Sequence, residues 1–342
     1  MTTRDERIAR IVAAGCRAPS VHNTQPWSVR VEDHGHLTVR ADPSRQLDRC
    51  DPQGREMFIS CGAFLLNLRV GAAHEGLDAH VQLSPDPDDL LLAARVTLDD
   101  RGAPSTFDPA LFRALTSRRT VRGGAAARPL QSPDVERLRR AVVLEHADVV
   151  FLGPHDAARG RLVSAMRRAE ALALGDDALL AQDRSWLGVS RDRVDGVPVD
   201  AMGGWFRESV VDQHSLDRDV ASGARTFETG ATSALLTTPQ DGPRHWLVVG
   251  QALERMLLVA TTRGIQASFA TRVLENPATR AEVERAFHLD SRAQVLLRFR
   301  YGSGAPFTPR REPDDVIRAG SHGSHDQGAA PDRDEDRTGR SS

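Results

Sequence analysis

The segment Ala18-Pro19-Ser20-Val21-His22-Asn23-Thr24-Gln25-Pro26-Trp27 is a polar loop bracketed by two prolines. Apolar residues at helical spacing precede it, and the alternating stretches 28–31 and 36–40 after it predict two strands around a hairpin turn. The loop supplies a hydroxyl, an imidazole, two amides and an indole, which can form directed hydrogen bonds to a heteroaromatic ring. The pattern indicates either a ligand-binding loop or a polar turn anchored by a buried Trp27.

An internal repeat predicts how the rest of the chain is organised. The stretch from Gly62 to Gly76 and the stretch from Gly250 to Gly264 are equally long, and they are offset by 188 positions. Apolar residues at helical spacing predict a helix in each stretch, and a glycine closes each one. We therefore expect an α+β fold in which two degenerate α/β halves pack together within one chain as a pseudo-dimer.

Changes in composition along the chain suggest the domain boundaries. The first half is expected at 1–103 and the second half at 104–318, with a disordered tail at 319–342 that lacks large apolar residues. Residues 246–249 predict a strand ahead of the second long helix. Residues 175–243 are irregular and rich in Gly, Asp and Arg, which predicts a lid-like insertion.

A cluster of arginines surrounds a threonine in the second half. Arg118, Arg119 and Arg122 lie on either side of Thr120, next to a pair of glycines. Forked guanidinium donors match phosphate oxygens, and a threonine hydroxyl can add a further hydrogen bond. The cluster therefore predicts either a phosphate clamp or a solvated charged turn.

A second pair of arginines, Arg310 and Arg311, follows the last predicted strand between Pro309 and Pro313. The prolines restrict the backbone around them, so the pair could supply further phosphate contacts. The alternative is a surface linker into the tail. Arginine is common throughout the chain, so neither cluster identifies a phosphate site by itself.

Composition excludes several broad classes of protein. The 342 residues carry 45 arginines, no lysine and 47 acidic residues, for a formal net charge of −2. This balance argues against a general nucleic-acid binder, and 40% hydrophobic residues suit a globular protein. No uninterrupted apolar run is long enough to predict a membrane-spanning helix, and the N-terminus lacks an apolar signal core. Three cysteines without CxxC spacing fit reduced thiols in a cytoplasmic protein.

The sequence gives little indication of a metal site, a nucleotide-binding loop or a hydrolase active site. His34 and His36 fall in a predicted turn, and His322 and His325 fall in the tail, so no metal site is expected. The sequence lacks a GxSxG, Walker, HExxH or GxGxxG motif. Ser20 near His22 lacks the further partners of a hydrolase triad.

Two of these segments resemble motifs of the nitroreductase superfamily. Ala-Pro-Ser-x-x-Asn-x-Gln-Pro-Trp at 18–27 is similar to the flavin-contact loop of that family, and the residues 118–122 are similar to its phosphate motif. Here the loop lies in the first half and the phosphate motif in the second. That order, together with the repeat, resembles the double-length Acg-type subfamily, in which one chain is similar to a fused nitroreductase dimer with a single flavin site.

The resemblance implies FMN at the junction of the two halves. The side chains that would hold its phosphate are Arg118, Thr120 and Arg122, helped by Arg310 or Arg311. The residues that would line the flavin or ribityl chain are Pro19, Ser20, Asn23 and Gln25. The residues that would approach the ring edge are Ser268 and Phe269. No side chain is implied as a catalytic acid or base, because flavin N5 carries the chemistry.

The same resemblance implies an oxidoreductase that passes hydride from NAD(P)H through flavin N5 to a nitro compound, a quinone or a similar acceptor. An FMN storage or sequestering protein, with a lid-covered flavin and little turnover, is an open alternative. A flavin-free structural or regulatory protein is a third. The expected partner is a small-molecule electron acceptor, with no nucleic acid or membrane, and the chain is expected to be a monomer or a weak homodimer.

Overall fold

The computed structural model describes residues 3–32, 35–84, 86–100, 107–122, 128–202, 231–302 and 304–318, so the expected tail lies outside the described residues. The helices are α1 (Arg4–Gly15), α2 (Arg55–His74), α3 (Pro109–Ser117), α4 (Ser132–Val143), α5 (Arg159–Leu174), α6 (Asp177–Trp186), α7 (Pro243–Thr262), α8 (Arg272–Glu275), α9 (Pro277–Ala286) and α10 (Pro313–Val316). The strands are β1 (Trp27–Val31), β2 (His36–Ala41), β3 (Leu77–Leu83), β4 (Leu92–Asp100), β5 (Asp148–Leu152), β6 (Leu187–Val189), β7 (Val197–Pro198), β8 (Thr232–Thr238), β9 (Ile265–Phe269), β10 (Arg292–Tyr301) and β11 (Ile317–Arg318).

The strands form two larger sheets and one small parallel pair, β6-β7. The five-stranded sheet has the order β11-β1-β2-β4-β3, and the four-stranded sheet has the order β5-β8-β10-β9. Within these two sheets, neighbouring strands are antiparallel except for β11, which runs parallel to β1. The mixed helix and sheet content confirms the predicted α+β fold class.

The two larger sheets repeat one topology, which confirms the internal repeat. In each half an antiparallel strand pair precedes a 20-residue helix, α2 or α7, and a second antiparallel pair follows it. The offset of 188 positions carries the bounds of α2 onto those of α7, and it carries Leu77 at the start of β3 onto Ile265 at the start of β9. Gly76 and Gly264, just beyond the two helices, both have positive φ angles, as expected for closing glycines.

The helices α2 and α7 pack against each other at a pair of glycines. A Cβ atom on Gly62 would lie 2.9 Å from the Cα atom of Gly250, and a Cβ atom on Gly250 would lie 2.8 Å from the Cα atom of Gly62. Neither position has room for a side chain, so the absence of Cβ atoms permits this close approach. The two halves of the repeat are therefore joined through equivalent residues.

The helix α2 lies in the core. By length and composition it could cross a membrane, but 83% of its most apolar stretch is buried inside the protein. It packs against α1 and the first sheet as well as α7. Its long apolar sequence is accounted for by burial on nearly every face, as in a central helix of a large core.

Two predictions in the second half are wrong. Residues 246–249 form early turns of α7 rather than a strand, because Pro243 favours a helix start and the apolar residues fall on buried faces of the helix. Residues 175–243 are not irregular throughout, since they contain α6 and the wholly buried strand β8. The β8 sequence Thr-Ser-Ala-Leu-Leu-Thr-Thr is buried along its whole length, so it lacks the alternation that marks a half-exposed strand.

Candidate functional site

A narrow cleft lies between the end of α3 and the segment 306–310. Five of its lining residues are arginines: Arg17, Arg118, Arg119, Arg122 and Arg310. The other lining residues are Leu115, Thr116, Thr120, Pro306, Phe307 and Thr308. Within the described part of the chain no carboxylate lines this cleft. Such a concentration of positive charge attracts anions.

Arg118, the residue that follows α3, is almost fully buried in the wall of the cleft. Its Nη2 donates to the carbonyl oxygen of Arg17 at 3.3 Å, and its Nε lies 3.5 Å from Oε1 of Glu254 on α7. Its Nε and Nη1 have no hydrogen-bond partner among the residues that the structure describes. Unsatisfied buried donors are costly, so this guanidinium group is suited to the oxygen of an anionic ligand.

The extended residues after Arg118 connect the cleft to the second sheet. Thr120 forms a parallel bridge with Ala267 of β9, and the Val121 amide donates to the Ala267 carbonyl at 2.9 Å. Ser268 and Phe269 are the next residues of β9, and both are half-buried. Backbone pairing therefore brings these two predicted site residues beside the segment that lines the cleft.

Burial and mutual repulsion lower the pKa values of arginines in the cleft. Burial, with a smaller contribution from the charge of Arg118, lowers the pKa of Arg122 to about 10. Burial and the charge of Arg118 also lower the pKa of Arg310 to about 9, although the charge of Glu254 opposes this shift. A bound anion would relieve this crowding of like charges.

The polar loop is held in an unusual backbone conformation. The φ angles are 45° at His22, 58° at Asn23 and 51° at Gln25, all in the left-handed region that residues with side chains seldom adopt. The Ser20 hydroxyl accepts a hydrogen bond from the Gln25 amide at 2.9 Å and so helps to close the turn. Backbone strain of this kind is concentrated at functional sites, which favours the ligand-binding interpretation of the loop over the simple turn.

The amide side chains of the loop join it to the cleft and to the expected insertion. Asn23 accepts a hydrogen bond at Oδ1 from Nη1 of Arg310 at 2.9 Å, and Nδ2 of Asn23 donates to the Gly196 carbonyl at 2.8 Å. The Nε2 atom of Gln25 donates to the Val194 carbonyl at 2.8 Å. The loop of the first half and the arginine cleft therefore meet through Asn23 and Arg310.

The described part of the expected insertion packs over the loop. Asp183 of α6 lies 3.0 Å from Nε2 of His22, and the Ala201 carbonyl accepts a hydrogen bond from Arg122 at 3.5 Å. One segment thus contacts both the loop and the arginine cluster. Residues 203–230 of the expected insertion lie outside the described residues.

The predicted site residues fall in three adjoining places. The cleft is lined by Arg118, Thr120, Arg122 and Arg310. The loop contains Pro19, Ser20, Asn23 and Gln25, and β9 contains Ser268 and Phe269. Arg311 does not line the cleft, since its guanidinium group donates to the backbone carbonyls of Gln25, Trp27 and Asp315.

Sequence analysis missed three residues at the cleft. Arg17 directly precedes the polar loop, which was a visible signal, whereas Glu254 stands beside Arg255 in α7 and nothing in the sequence sets it apart. Phe307 lies 5.1 Å from the guanidinium group of Arg119, in the geometry of a cation–π contact. Nothing in the surrounding sequence distinguishes Phe307 from other exposed aromatic residues.

Glu145 holds after α4 the position that Arg17 holds after α1, because each is the second residue beyond its helix. Glu145 is buried and accepts hydrogen bonds from Arg69 and Arg255, each at 2.6 Å. Both guanidinium groups also lie over the ring of Phe107. An internal carboxylate therefore neutralises two arginines at this second position, whereas no carboxylate lines the arginine cleft in the described part of the chain.

The described residues contain no group of three or more His, Cys, Asp or Glu side chains that could hold a metal ion. Cys16, Cys50 and Cys61 are buried and unpaired. Burial is the main cause that raises the pKa of Cys16 to about 11, and it also raises the pKa values of Cys50 and Cys61. The thiols are therefore protonated at neutral pH, and all three lie in the core.

Comparison with known proteins identifies the family to which the chain belongs. No family model matches the chain. It is 30% identical over 334 residues to the Mycobacterium tuberculosis protein named "Putative NAD(P)H nitroreductase acg", a match that covers 94% of this chain and 98% of that protein. It is also 30% identical over 338 residues to "Putative NAD(P)H nitroreductase Rv3131" of the same organism, with 91% of each chain covered.

Among solved structures, the FMN-dependent nitroreductase NfnB from Mycobacterium smegmatis, in complex with NADPH, is similar to this chain with a TM-score of 0.39 and 15% identity. The match covers 58% of this chain and 93% of that chain. The relatives from Mycobacterium tuberculosis are similar along almost their whole length, and they agree with the family expected from the two motifs. The chain therefore belongs to the double-length Acg-type subfamily of the nitroreductase superfamily.

Proposed function

We propose that the chain is an FMN-dependent oxidoreductase, which takes hydride from NAD(P)H and passes it to a nitro compound, a quinone or a similar small acceptor. The names of its full-length relatives support NAD(P)H-dependent nitroreductase activity. The observation that carries the FMN assignment is the buried Arg118, whose Nε and Nη1 lack partners among the described residues and which shares its cleft with Arg122 and Arg310. This donor set fits a phosphate group.

In this proposal the side chains bind and orient the cofactor. Arg118, Arg122 and Arg310 neutralise the phosphate, and the Thr120 hydroxyl donates a further hydrogen bond. From the first half, Pro19, Ser20, Asn23 and Gln25 line the flavin or ribityl chain. Arg310 is preferred over Arg311 because the side chain of Arg310 lines the cleft and that of Arg311 does not.

Ser268 and Phe269 approach the edge of the flavin ring from β9 in this arrangement. Bound FMN would supply the hydride chemistry, so no side chain is required as a general acid or base. The role of the chain is to position the ring and to select small acceptors.

We also infer one FMN per chain and domain boundaries close to 1–103 and 104–318. The buried arginines Arg69 and Arg255 do not offer a second phosphate site, because the Glu145 carboxylate already balances their charge. A complete site also needs residues from both halves, which one chain supplies without a second subunit. Equilibrium dialysis with FMN, together with the solution mass, tests this; two FMN molecules per chain would contradict it.

The test of activity is anaerobic reduction. The protein is loaded with FMN and mixed with NADH or with NADPH, and the flavin absorbance is followed. We expect one of the two donors to bleach the flavin and a nitro compound or quinone to restore its colour. Bound FMN that neither donor reduces would contradict the oxidoreductase and would favour the storage alternative.

A further inference from the structure

Glu254 is a buried carboxylate directly behind the arginine cleft. The side chain projects from α7, and it is fully inaccessible to solvent. Neither of its oxygen atoms has a hydrogen-bond partner among the described residues. The Nε atom of Arg118 lies 3.5 Å from its Oε1, which is within ion-pair range but beyond a good hydrogen bond.

Asn67 on α2 adds a second polar group at this place. It is also fully buried, and neither its Oδ1 nor its Nδ2 has a hydrogen-bond partner in the described part of the chain. The ionisable groups that face Glu254 are Arg118 at the end of α3 and Arg310 in the C-terminal segment, and the neutral Asn67 faces it from α2. Three almost fully buried side chains with unsatisfied polar atoms therefore converge where α2 and α7 meet the cleft.

We propose that Glu254 is the internal counter-ion of Arg118, a positioning residue that holds this guanidinium group for the ligand phosphate and takes up a proton when phosphate binds. The inference rests on the proposed function, because it assumes that the cleft receives the phosphate of FMN. It assigns Glu254 no contact with the reacting part of the cofactor.

The physical argument is one of charge balance. Before phosphate binds, ionised Glu254 partly neutralises Arg118 and Arg310. A phosphate dianion supplies that negative charge itself and repels the buried carboxylate, so protonation of Glu254 becomes favourable. Burial already raises the pKa of Glu254 to about 7, against the opposing charges of Arg118 and Arg310, and a further rise on phosphate binding would protonate a carboxylate that is largely ionised at pH 8.

The first experiment uses the wild-type protein. FMN binding is measured by titration calorimetry at pH 8 in buffers of different ionisation enthalpy, which gives the number of protons taken up. The phosphate of FMN, with a second pKa of about 6, is already a dianion at that pH, so protons must enter the protein. We expect uptake of close to one proton per FMN and none for riboflavin, which lacks the phosphate. No uptake with FMN would overturn the proposal.

The second experiment compares FMN affinity from pH 7 to 8.5 in the wild type and in Glu254→Gln, with the exposed Glu136→Gln as a matched control. If one proton is taken up with each FMN, the wild-type affinity for FMN falls as the pH rises, by up to about tenfold per pH unit relative to that of Glu254→Gln. Affinity of Glu254→Gln equal to that of the wild type at every pH, or lower at every pH, would overturn the inference. Failure of the wild type to bind FMN at all would instead overturn the proposed function.

Discussion

Gly62 of α2 and Gly250 of α7 contact each other backbone to backbone, and the offset of 188 positions in the internal repeat carries one onto the other. In a symmetric homodimer, residues near the two-fold axis meet their own copies. The same relationship within one chain explains why a loop from the first half lies against arginines from the second. The shared site depends on how closely these two helices approach.

Replacement of Gly250 by alanine tests this close approach. The added methyl group would meet the Ile59 carbonyl oxygen and the Cα atom of Gly62, neither of which can move without separating the helices. We expect Gly250→Ala to lower the free energy of unfolding by about 1–3 kcal/mol, as for overpacking of a core. Urea denaturation measures the loss.

The matched control is Gly160→Ala in α5, where a Cβ atom meets nothing within 4 Å. Alanine is the better helix former, so this variant is expected to be neutral or more stable by up to about 1 kcal/mol. Equal effects of the two substitutions would contradict the account of the helix contact.

The sequence predicted much of the fold because its strongest signals were local. Closing glycines at Gly76 and Gly264 and the apolar stripe of α2 fixed the two central helices and thus the repeat. The strand β8 was missed because burial along its whole length removes alternation. Residues 246–249 were misassigned because a short apolar run fits a strand or a helix equally well, and here Pro243 decides in favour of the helix.

The candidate site was predictable in part. Arg118, Thr120 and Arg122 were found through a compact motif, and the structure places all three in one cleft. The roles of Arg310 and Arg311 could not be separated from sequence, because adjacent residues in an extended segment point in different directions. Glu254 is 136 positions from Arg118 along the chain, so only the packing of α7 reveals that they are neighbours.

Glu145 gives a second prediction on stability. Its carboxylate accepts hydrogen bonds from Arg69 and Arg255, and glutamine would leave two largely buried guanidinium groups without their counter-ion. We expect Glu145→Gln to lower the free energy of unfolding by about 3–5 kcal/mol. The exposed Glu136→Gln on α4 serves as the control. A loss below about 1 kcal/mol for Glu145→Gln would show that the ion pairs of Glu145 with Arg69 and Arg255 contribute little to stability.

The hydrogen bonds to Asp241 lead to a prediction of how the stability of the protein changes at low pH. Although burial raises its pKa, hydrogen bonds from Arg280, Trp246 and Gln294 lower the pKa of Asp241 well below its usual range. Because the folded-state pKa is depressed, this stabilisation is present above the unfolded pKa of about 4 and is lost as the pH falls further.

Asp241→Asn is therefore expected to lower the free energy of unfolding by roughly 1–2 kcal/mol at pH 7. The difference from the wild type should shrink as the pH falls from 4 towards 2, because the carboxylate of the unfolded wild-type chain then takes up a proton, which favours unfolding of the wild type. Denaturation curves at pH 7 and at low pH measure both values. A difference that stays constant over this range would contradict the assignment.

The most direct test of the central claim compares FMN with riboflavin, which differ by the phosphate alone. The affinity of each is measured for the wild type, for Arg118→Ala, and for Arg113→Ala, which replaces an exposed arginine on the preceding helix, α3, as a control. We expect the wild type and Arg113→Ala to bind FMN much more tightly than riboflavin. In Arg118→Ala the ratio of the two affinities should fall at least tenfold, which corresponds to about 1.4 kcal/mol, because FMN binding weakens while riboflavin affinity changes little. An unchanged preference for FMN in Arg118→Ala would contradict the assignment of the arginine cleft as the phosphate site.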